Sequence, residues 1–278
     1  MSTALSSVVA LEAPVKPFLK WAGGKTKLLP DILARFPARF GSYYEPFLGG
    51  GAVFFATRPQ RAFLSDLNDE LIATYRAVRD DVSGVMRALD RHVATEEHFY
   101  RVRALPAPSH DGVARAARTI YLNRTCFNGL YRVNRRGEFN VPFGRYENPT
   151  ICNEDGLMRA SQALASAEIE HGSVFDMARR AKRGDLVYFD PPYDPVSATA
   201  SFTSYAREGF GKPEQEQLAG LFTELDRRGV HVILSNSDTP FMRKLYQGFR
   251  IDTVFCRRAI NARADRRGAV TEILVSNT

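Results

Sequence analysis

The apolar run Leu186-Val187-Tyr188-Phe189 ends abruptly on Asp190-Pro191-Pro192-Tyr193, and no other stretch constrains the fold as tightly. Four continuously apolar residues behind a Gly184-Asp185 turn pair read as a strand buried on both faces, as in parallel sheets covered by helices. Two prolines then remove ladder donors and fix φ, so the backbone must leave the sheet. A carboxylate, a row of carbonyls and an aromatic ring project beyond the strand's carboxyl end, where open α/β sheets hold their ligands. Such an acceptor-rich hook beside a ring suits a planar molecule carrying an amino group, for instance an extruded nucleobase. Taken alone, the four residues weigh this evenly against a proline-rich strand exit capped by an aspartate.

A second ligand-binding element lies upstream. Tyr43-Tyr44-Glu45-Pro46-Phe47 reads as a strand that breaks into Leu48-Gly49-Gly50-Gly51, with a helix opening at Ala52. Strand, glycine turn and helix form the context of a cofactor loop, because glycines admit close backbone approach and a helix start offers free N–H groups. The next strand, Ala62–Ser65, ends at Asp66, 15 residues past Gly51, where an acid can accept hydrogen bonds from ribose hydroxyls. The G-x-G-x-x-G spacing is missing, and Glu45 at the strand end argues against a phosphate cradle. These features favour an adenosine-containing, positively charged cofactor over NAD or ATP. A further glycine turn, Trp21-Ala22-Gly23-Gly24-Lys25, leads into a helix predicted from about Thr26 to Arg35; it lacks the upstream glycine of a P-loop.

The net charge of +7 is unevenly spread. Between residues 115 and 146, Arg115, Arg118, Arg124, Arg132, Arg135, Arg136 and Arg145 face only one acid, Glu138. Concentrated basic surface is the footprint of a nucleic-acid binder. Helical spacing runs from Asn68 through Leu71, Ile72, Tyr75 and Val78, then Val82, Val85, Met86 and Leu89, and resumes over Val113–Thr125 after a loop at Leu105–Gly112. The block from Cys126 to Tyr146 mixes Asn, Gly and aromatics too closely for a helix, with Arg135-Arg136-Gly137-Glu138 as a hairpin tip. Arg and Asn can pair bidentately with guanine and adenine edges, and aromatics can fill the gap left by a flipped base. Residues 1–14, small and partly polar, are expected to form a disordered tail.

The remaining pattern gives strands at Ile169–Val174 and His231–Ser235, and an antiparallel pair, Ile251–Phe255 with Glu272–Ser276. Helices are predicted at Met158–Ser166, Glu214–Arg227 and Pro240–Tyr246. Tyr193 to Gly211, with Phe202 and Tyr205, reads as a long lid loop. A second basic cluster, Arg257, Arg258, Arg263, Arg266 and Arg267 with Asp265, receives no base contact. With 44% hydrophobic and 25% charged residues the composition is that of a globular protein, and no apolar run nears the ~20 residues of a membrane span. Cys126, Cys152 and Cys256 form no C-x-x-C, so neither a disulfide framework nor a zinc site is expected, and a reducing cytoplasm fits. Trp21 by itself reads equally as core, Asn140 as a turn residue, and the histidines as structural.

Five motifs in order, Phe18–Lys25, Phe47–Gly51 (F-x-G-x-G), Asp66, Phe127–Tyr146 and Asp190–Tyr193, give the chain a family likeness from about Lys16 to Asn277. It resembles the Dam-type DNA adenine-N6 methyltransferases of the D12 class. The resemblance implies an α/β, Rossmann-like S-adenosylmethionine-dependent methyltransferase fold, with a mainly helical DNA target-recognition domain at 69–150 inserted into a catalytic domain of 15–68 and 151–278. It implies S-adenosylmethionine as cofactor, held by Trp21, Lys25, Phe47, Gly49, Gly51, Asp66 and Asp190. Asp190, Pro191, Pro192 and Tyr193 match the catalytic hook. Lys20, Phe127, Leu130, Arg132, Asn134, Asn140, Pro142 and Arg145 match positions that contact duplex DNA, with GATC as the expected site. Near Ser173, Val174 and Phe175 stand where some relatives have a tyrosine. No metal is implied, a monomer is expected, and a cognate restriction endonuclease remains an open partner. DNA cytosine-N4 methyltransferases usually carry Ser in the Asp190 position and protein-glutamine methyltransferases usually Asn. An RNA adenine methyltransferase or a non-catalytic DNA-binding regulator are the other readings, and the regulator would need neither glycine loop nor hook.

Overall fold

The computed structural model describes residues 15–108, 110–195, 210–257 and 269–278. The expected tail, most of the expected lid with Phe202 and Tyr205, and the arginines from Arg258 to Arg267 lie outside them. Among the described residues seven strands, β1 (Tyr43–Glu45), β2 (Ala62–Asp66), β3 (Ala167–His171), β4 (Leu186–Phe189), β5 (His231–Ser237), β6 (Arg250–Arg257) and β7 (Ala269–Ser276), form one sheet. Their order is β3-β2-β1-β4-β5-β7-β6. β1 to β5 are parallel, and β7 is antiparallel to both β5 and β6.

Alternation along the central strands explains why they read as unbroken apolar runs. Tyr43, Leu64, Leu186, Tyr188 and Ile233 join the core on one face, while Tyr44, Phe63, Val187, Phe189 and Leu234 join the core on the other. The first core takes in α2 (Ala52–Thr57), α3 (Asp69–Asp80), α4 (Val82–Leu89), α6 (Gly112–Thr125) and α7 (Glu154–Leu164). The second is closed by α8 (Val174–Arg179), α9 (Lys212–Arg227) and α10 (Pro240–Leu245). Buried residues between Leu71 and Val141 belong to the same cluster as Phe18, Leu64 and Tyr188, so the helical segment shares its core with the sheet. Among the described residues no helix is long and apolar enough to cross a membrane.

Local chemistry sets the element boundaries. The helical run after Asn68 is divided by side-chain caps: Asn68, Asp81, Thr95 and Asp111 each accept a backbone N–H at the starts of α3, α4, α5 (Glu96–Ala104) and α6. The helix expected from Thr26 is instead a 3₁₀ turn, Lys25–Lys27, followed by α1 (Leu29–Leu33), because Pro30 suits a helix's first turn and not its middle. The strand expected to reach Val174 stops at His171, where Ser173 accepts the Asp176 N–H and opens α8. The predicted β6–β7 pair forms, but with β7 wedged between β5 and β6.

One histidine pair gives α5 and α6 a measurable pH dependence. His92 stacks on Tyr121 at 4.4 Å, with its Nδ1 2.9 Å from His98 Nε2. The Arg101 guanidinium, which can only donate, meets His98 Nδ1 at 2.7 Å, so His98 is neutral and its Nε2–H points at His92. Burial, and then His98, push the His92 pKa down to about 4. In the unfolded chain His92 binds a proton near pH 6.5, so the pair's stabilisation is complete above that pH and is lost as pH falls towards 4. The thermal midpoint of His92→Phe is therefore expected to fall less steeply than the parent's across this window. Parallel slopes in differential scanning calorimetry would show that His92 does not titrate this way.

Candidate active site

β1 is flanked by β2 on one side and β4 on the other, so the chain leaves it first one way and then the other. Loops after β1 and β4 diverge at such a switch point and leave a crevice. The glycine loop and the Asp190 hook occupy its two lips.

The hook is braced from several elements. Asp190 Oδ1 lies 2.8 Å from Lys25 Nζ and accepts a 2.8 Å hydrogen bond from the Ser235 hydroxyl, which is 2.9 Å from the Tyr188 hydroxyl. Lys25 also donates to the Gly23 carbonyl at 2.6 Å and sits 4.8 Å from the Tyr193 ring centre. The Tyr193 hydroxyl donates to Glu272 on β7 at 2.7 Å. Gln215 of α9 donates to the Pro192 carbonyl at 2.7 Å and accepts from Asn236 of β5 at 3.2 Å. Burial raises the Asp190 pKa above the usual carboxylate range, against the opposing pull of Lys25 and Ser235. Pro191 is buried, and Pro192 and Tyr193 are partly exposed.

Across the crevice, Gly49 and Gly51 adopt φ of +48° and +65°, which favour glycine. A Cβ on Gly49 would stand 3.0 Å from Trp21 Cδ1, so the loop is pressed against that indole. Asp66 accepts the Gly49 N–H at 3.0 Å and the Asn68 N–H at 2.9 Å, and Tyr75 donates to the Gly49 carbonyl at 3.2 Å. Burial raises the Asp66 pKa, with these N–H groups opposing the shift. Beside it Leu67 is 57% exposed, an apolar surface at the end of β2. Phe47 meets Phe189 and Phe210 edge-on at 6.4 and 5.5 Å.

Glu45 departs from its expected part in charge recognition. It is buried, and its Oε2 accepts from the Tyr43 hydroxyl at 2.8 Å and the Phe54 N–H at 3.1 Å. Burial pushes its pKa up to about 8, so it is largely protonated at neutral pH and is a poor counter-charge for a cationic ligand. It anchors the first turn of α2 instead.

The basic block lies against the Lys20 end of the N-terminal segment. Buried Asn123 accepts the Lys20 N–H at 2.9 Å and donates to the Lys20 and Gly129 carbonyls at 2.8 and 2.9 Å. The Lys20 ammonium sits 4.9 Å from the Tyr146 ring centre. Phe127 stands 50% exposed on a 3₁₀ turn, and its N–H bonds the carbonyl of exposed Pro142 at 2.8 Å. A hairpin follows, with Asn140 N–H on the Arg132 carbonyl, Asn134 N–H on the Glu138 carbonyl, and the tip where it was expected. Exposed Arg132 donates through Nε to Asn140 Oδ1 at 2.6 Å and through a terminal nitrogen to the Asn140 carbonyl at 3.2 Å. Asn134 is committed to the hairpin itself: its Oδ1 accepts the Arg136 and Glu138 N–H groups, and its Nδ2 donates to Glu138. Leu130 is partly buried, and Arg145 is exposed with φ of +51°.

The structure thus gathers Trp21, Lys25, Gly49, Gly51, Asp66, Asp190 and Tyr193 around one crevice, and Lys20, Phe127, Arg132, Asn140 and Pro142 around the arginine-rich block. The sequence reading missed Asn123, Tyr131, Ser235 and Glu272. Ser235 follows the apolar run of β5, a signal that it sits at a ligand-bearing strand end; Glu272 carried no local signal.

Comparison with known proteins gives the family of the chain. A family model described as D12 class N6 adenine-specific DNA methyltransferase matches residues 21–260. A type II methyltransferase of Lactococcus lactis subsp. cremoris is 42% identical over 95% of this chain and 95% of its own length. A type II methyltransferase of Methanocaldococcus jannaschii is 41% identical over 95% of this chain and 99% of its own. The DNA adenine methylase of Escherichia coli is 39% identical over 93% and 94%.

Proposed function

The chain belongs to the D12 class of N6 adenine-specific DNA methyltransferases, and from that premise we propose that it turns adenine out of duplex GATC and methylates N6 with S-adenosylmethionine. The observation that carries this reading is the Lys25 ammonium, which bonds Asp190 Oδ1 while lying against the Tyr193 ring. An N–H donor can therefore approach the carboxylate beside an aromatic face, as the amino group of a stacked base must.

The chemistry follows from what the side chains accept. Adenine N6 is a weak nucleophile because its lone pair is delocalised into the ring. Lys25 and Ser235 both bind Oδ1 of Asp190, which leaves Oδ2 and the Pro191 carbonyl to accept the two N–H groups of the target. That pulls the amine towards a tetrahedral geometry and frees its lone pair. Tyr193, held by Glu272, keeps the base in line, and the acceptors stabilise the positive charge developing on N6. When bound, S-adenosylmethionine would supply an electrophilic methyl whose bond to the sulfonium sulfur breaks as N6 attacks, the sulfur departing as a neutral thioether and the methylated amine giving up one proton to solvent. The crevice suits it through the Asp66 carboxylate for ribose hydroxyls, Leu67 for the adenine face, and the Gly49–Gly51 backbone with Trp21 for the remainder.

We assign DNA reading to residues 69–150 together with Lys20, and catalysis to the rest of the chain. The type II names of two relatives support a cognate restriction endonuclease as genetic partner. A monomer acting in the cytoplasm is part of the same proposal. Sequencing the methylome of a host without adenine methylation, after expressing the protein, tests the proposal. N6-methyladenine confined to GATC is expected; methylated cytosine, or unmodified DNA, would refute it.

Asp66→Ala is expected to weaken cofactor binding by ~1–3 kcal/mol, since it removes a charge-assisted ribose bond and also releases the Gly49 N–H. Calorimetric titration reads the loss directly, and parent-like affinity would place the ribose elsewhere.

A further inference from the structure

Immediately before Arg132 stands Tyr131, whose ring lies between Trp21 and Phe139. One face stacks on Trp21, with ring centres 5.2 Å apart and planes 24° from parallel. Its edge meets Phe139, on the returning arm of the recognition hairpin, at 5.8 Å and 63°. Trp21 is itself in contact with the glycine loop, since a Cβ would stand 3.0 Å from its ring at Gly49 and 3.3 Å from its own Cβ at Gly50. One side chain therefore contacts the cofactor crevice through Trp21, and the DNA-reading hairpin through Phe139.

We propose that Tyr131 is a positioning residue that couples cofactor loading to the geometry of the hairpin carrying Arg132 and Asn140. The inference rests on the reading that S-adenosylmethionine occupies the crevice. Packed aromatics do not slide continuously; they hold one arrangement or move to another. A ligand that fixes Trp21 fixes Tyr131, and Tyr131 then holds Phe139, which is 8% exposed and opposite Val133 in the hairpin. Arg132 and Asn140 flank that pair. Such coupling is reciprocal, so bound DNA must tighten the cofactor by the factor with which cofactor tightens DNA.

The test is calorimetric titration with sinefungin, a cofactor analogue that transfers no methyl group, with and without a GATC duplex, and the duplex titration with and without sinefungin. In the parent each ligand is expected to tighten the other about fivefold or more. Tyr131→Phe, which keeps both ring contacts, retains most of that factor. Tyr131→Leu reduces it to less than about twofold, with each binary affinity within about threefold of the parent. Phe139→Leu, on the far side of the same ring, lowers the factor as well and serves as the second variant should Tyr131→Leu fold poorly. Independent binding in the parent overturns the proposal, as does a parent-like coupling factor in either leucine variant, even if both binary affinities drop. A parent that binds neither ligand refutes the crevice reading itself, and this inference with it.

Discussion

Asp190→Asn is expected to fold, to bind S-adenosylmethionine within about tenfold of the parent, and to transfer methyl groups about a thousandfold more slowly. The amide keeps one oxygen for Ser235 and Lys25, so the packing of the hook survives. What it loses is the second acceptor: an NH2 group would face the N–H of the target amine, and the positive charge developing on N6 would meet no negative partner. Asp190→Ala is the poorer probe, because it leaves the buried Lys25 ammonium without its counter-charge, and breaking a buried pair in this way costs about 3–5 kcal/mol of stability. A single-turnover assay with tritiated methyl donor, beside a cofactor titration, separates the two effects. Substantial turnover by the asparagine variant would move amine activation to another group. The ionised carboxylate is the active form and burial raises its pKa, so the parent's rate should begin to fall at a higher pH on acidification than an ordinary carboxylate would dictate.

Arg132→Ala is expected to change which sequences are methylated more than how tightly DNA is held. An arginine fork on guanine O6 and N7 discriminates by ~1–3 kcal/mol, whereas an arginine on phosphate lowers affinity almost evenly across sequences. Asn140 supports the base-reading role: by accepting from Nε and one terminal nitrogen, it aims the guanidinium across the hairpin and leaves its outer edge for a base. The variant should lose activity on GATC and gain relative activity on sites altered at one G·C pair. Methylation rates over GATC and its single-base variants at fixed salt decide the matter. Uniform slowing would make Arg132 a backbone clamp and direct attention to Lys20, whose ammonium lies at the Tyr146 ring; Asn134 is the weaker candidate, with its amide spent on the hairpin.

Features that depend on neighbouring residues were legible in the sequence. A strand that must end at two prolines, a glycine turn opening a helix, and the hairpin tip at Gly137 follow from donors removed or φ angles required, and all three stand where expected. Glu45 shows where that reasoning ends. Its place at a strand end suggested a charge facing the ligand, but whether a carboxylate faces a crevice or the first turn of a helix is decided by packing between β1 and α2. Similarly, Asn134 and Asn140 look alike in a polar block, yet one closes the hairpin on itself and the other receives Arg132. Tyr131 was hidden for a related reason: its partner Trp21 approaches it only after the fold has brought two distant segments together.

The brace on Tyr193 has a consequence for synthesis. Glu272 is 79 residues further along the chain, on a strand that must thread between β5 and β6 before it can reach the ring. While the ribosome is still making those residues, the Asp190–Tyr193 segment has already emerged, with the aromatic ring untethered. Competence to methylate should therefore arise late and in one step, when the seventh strand closes the sheet.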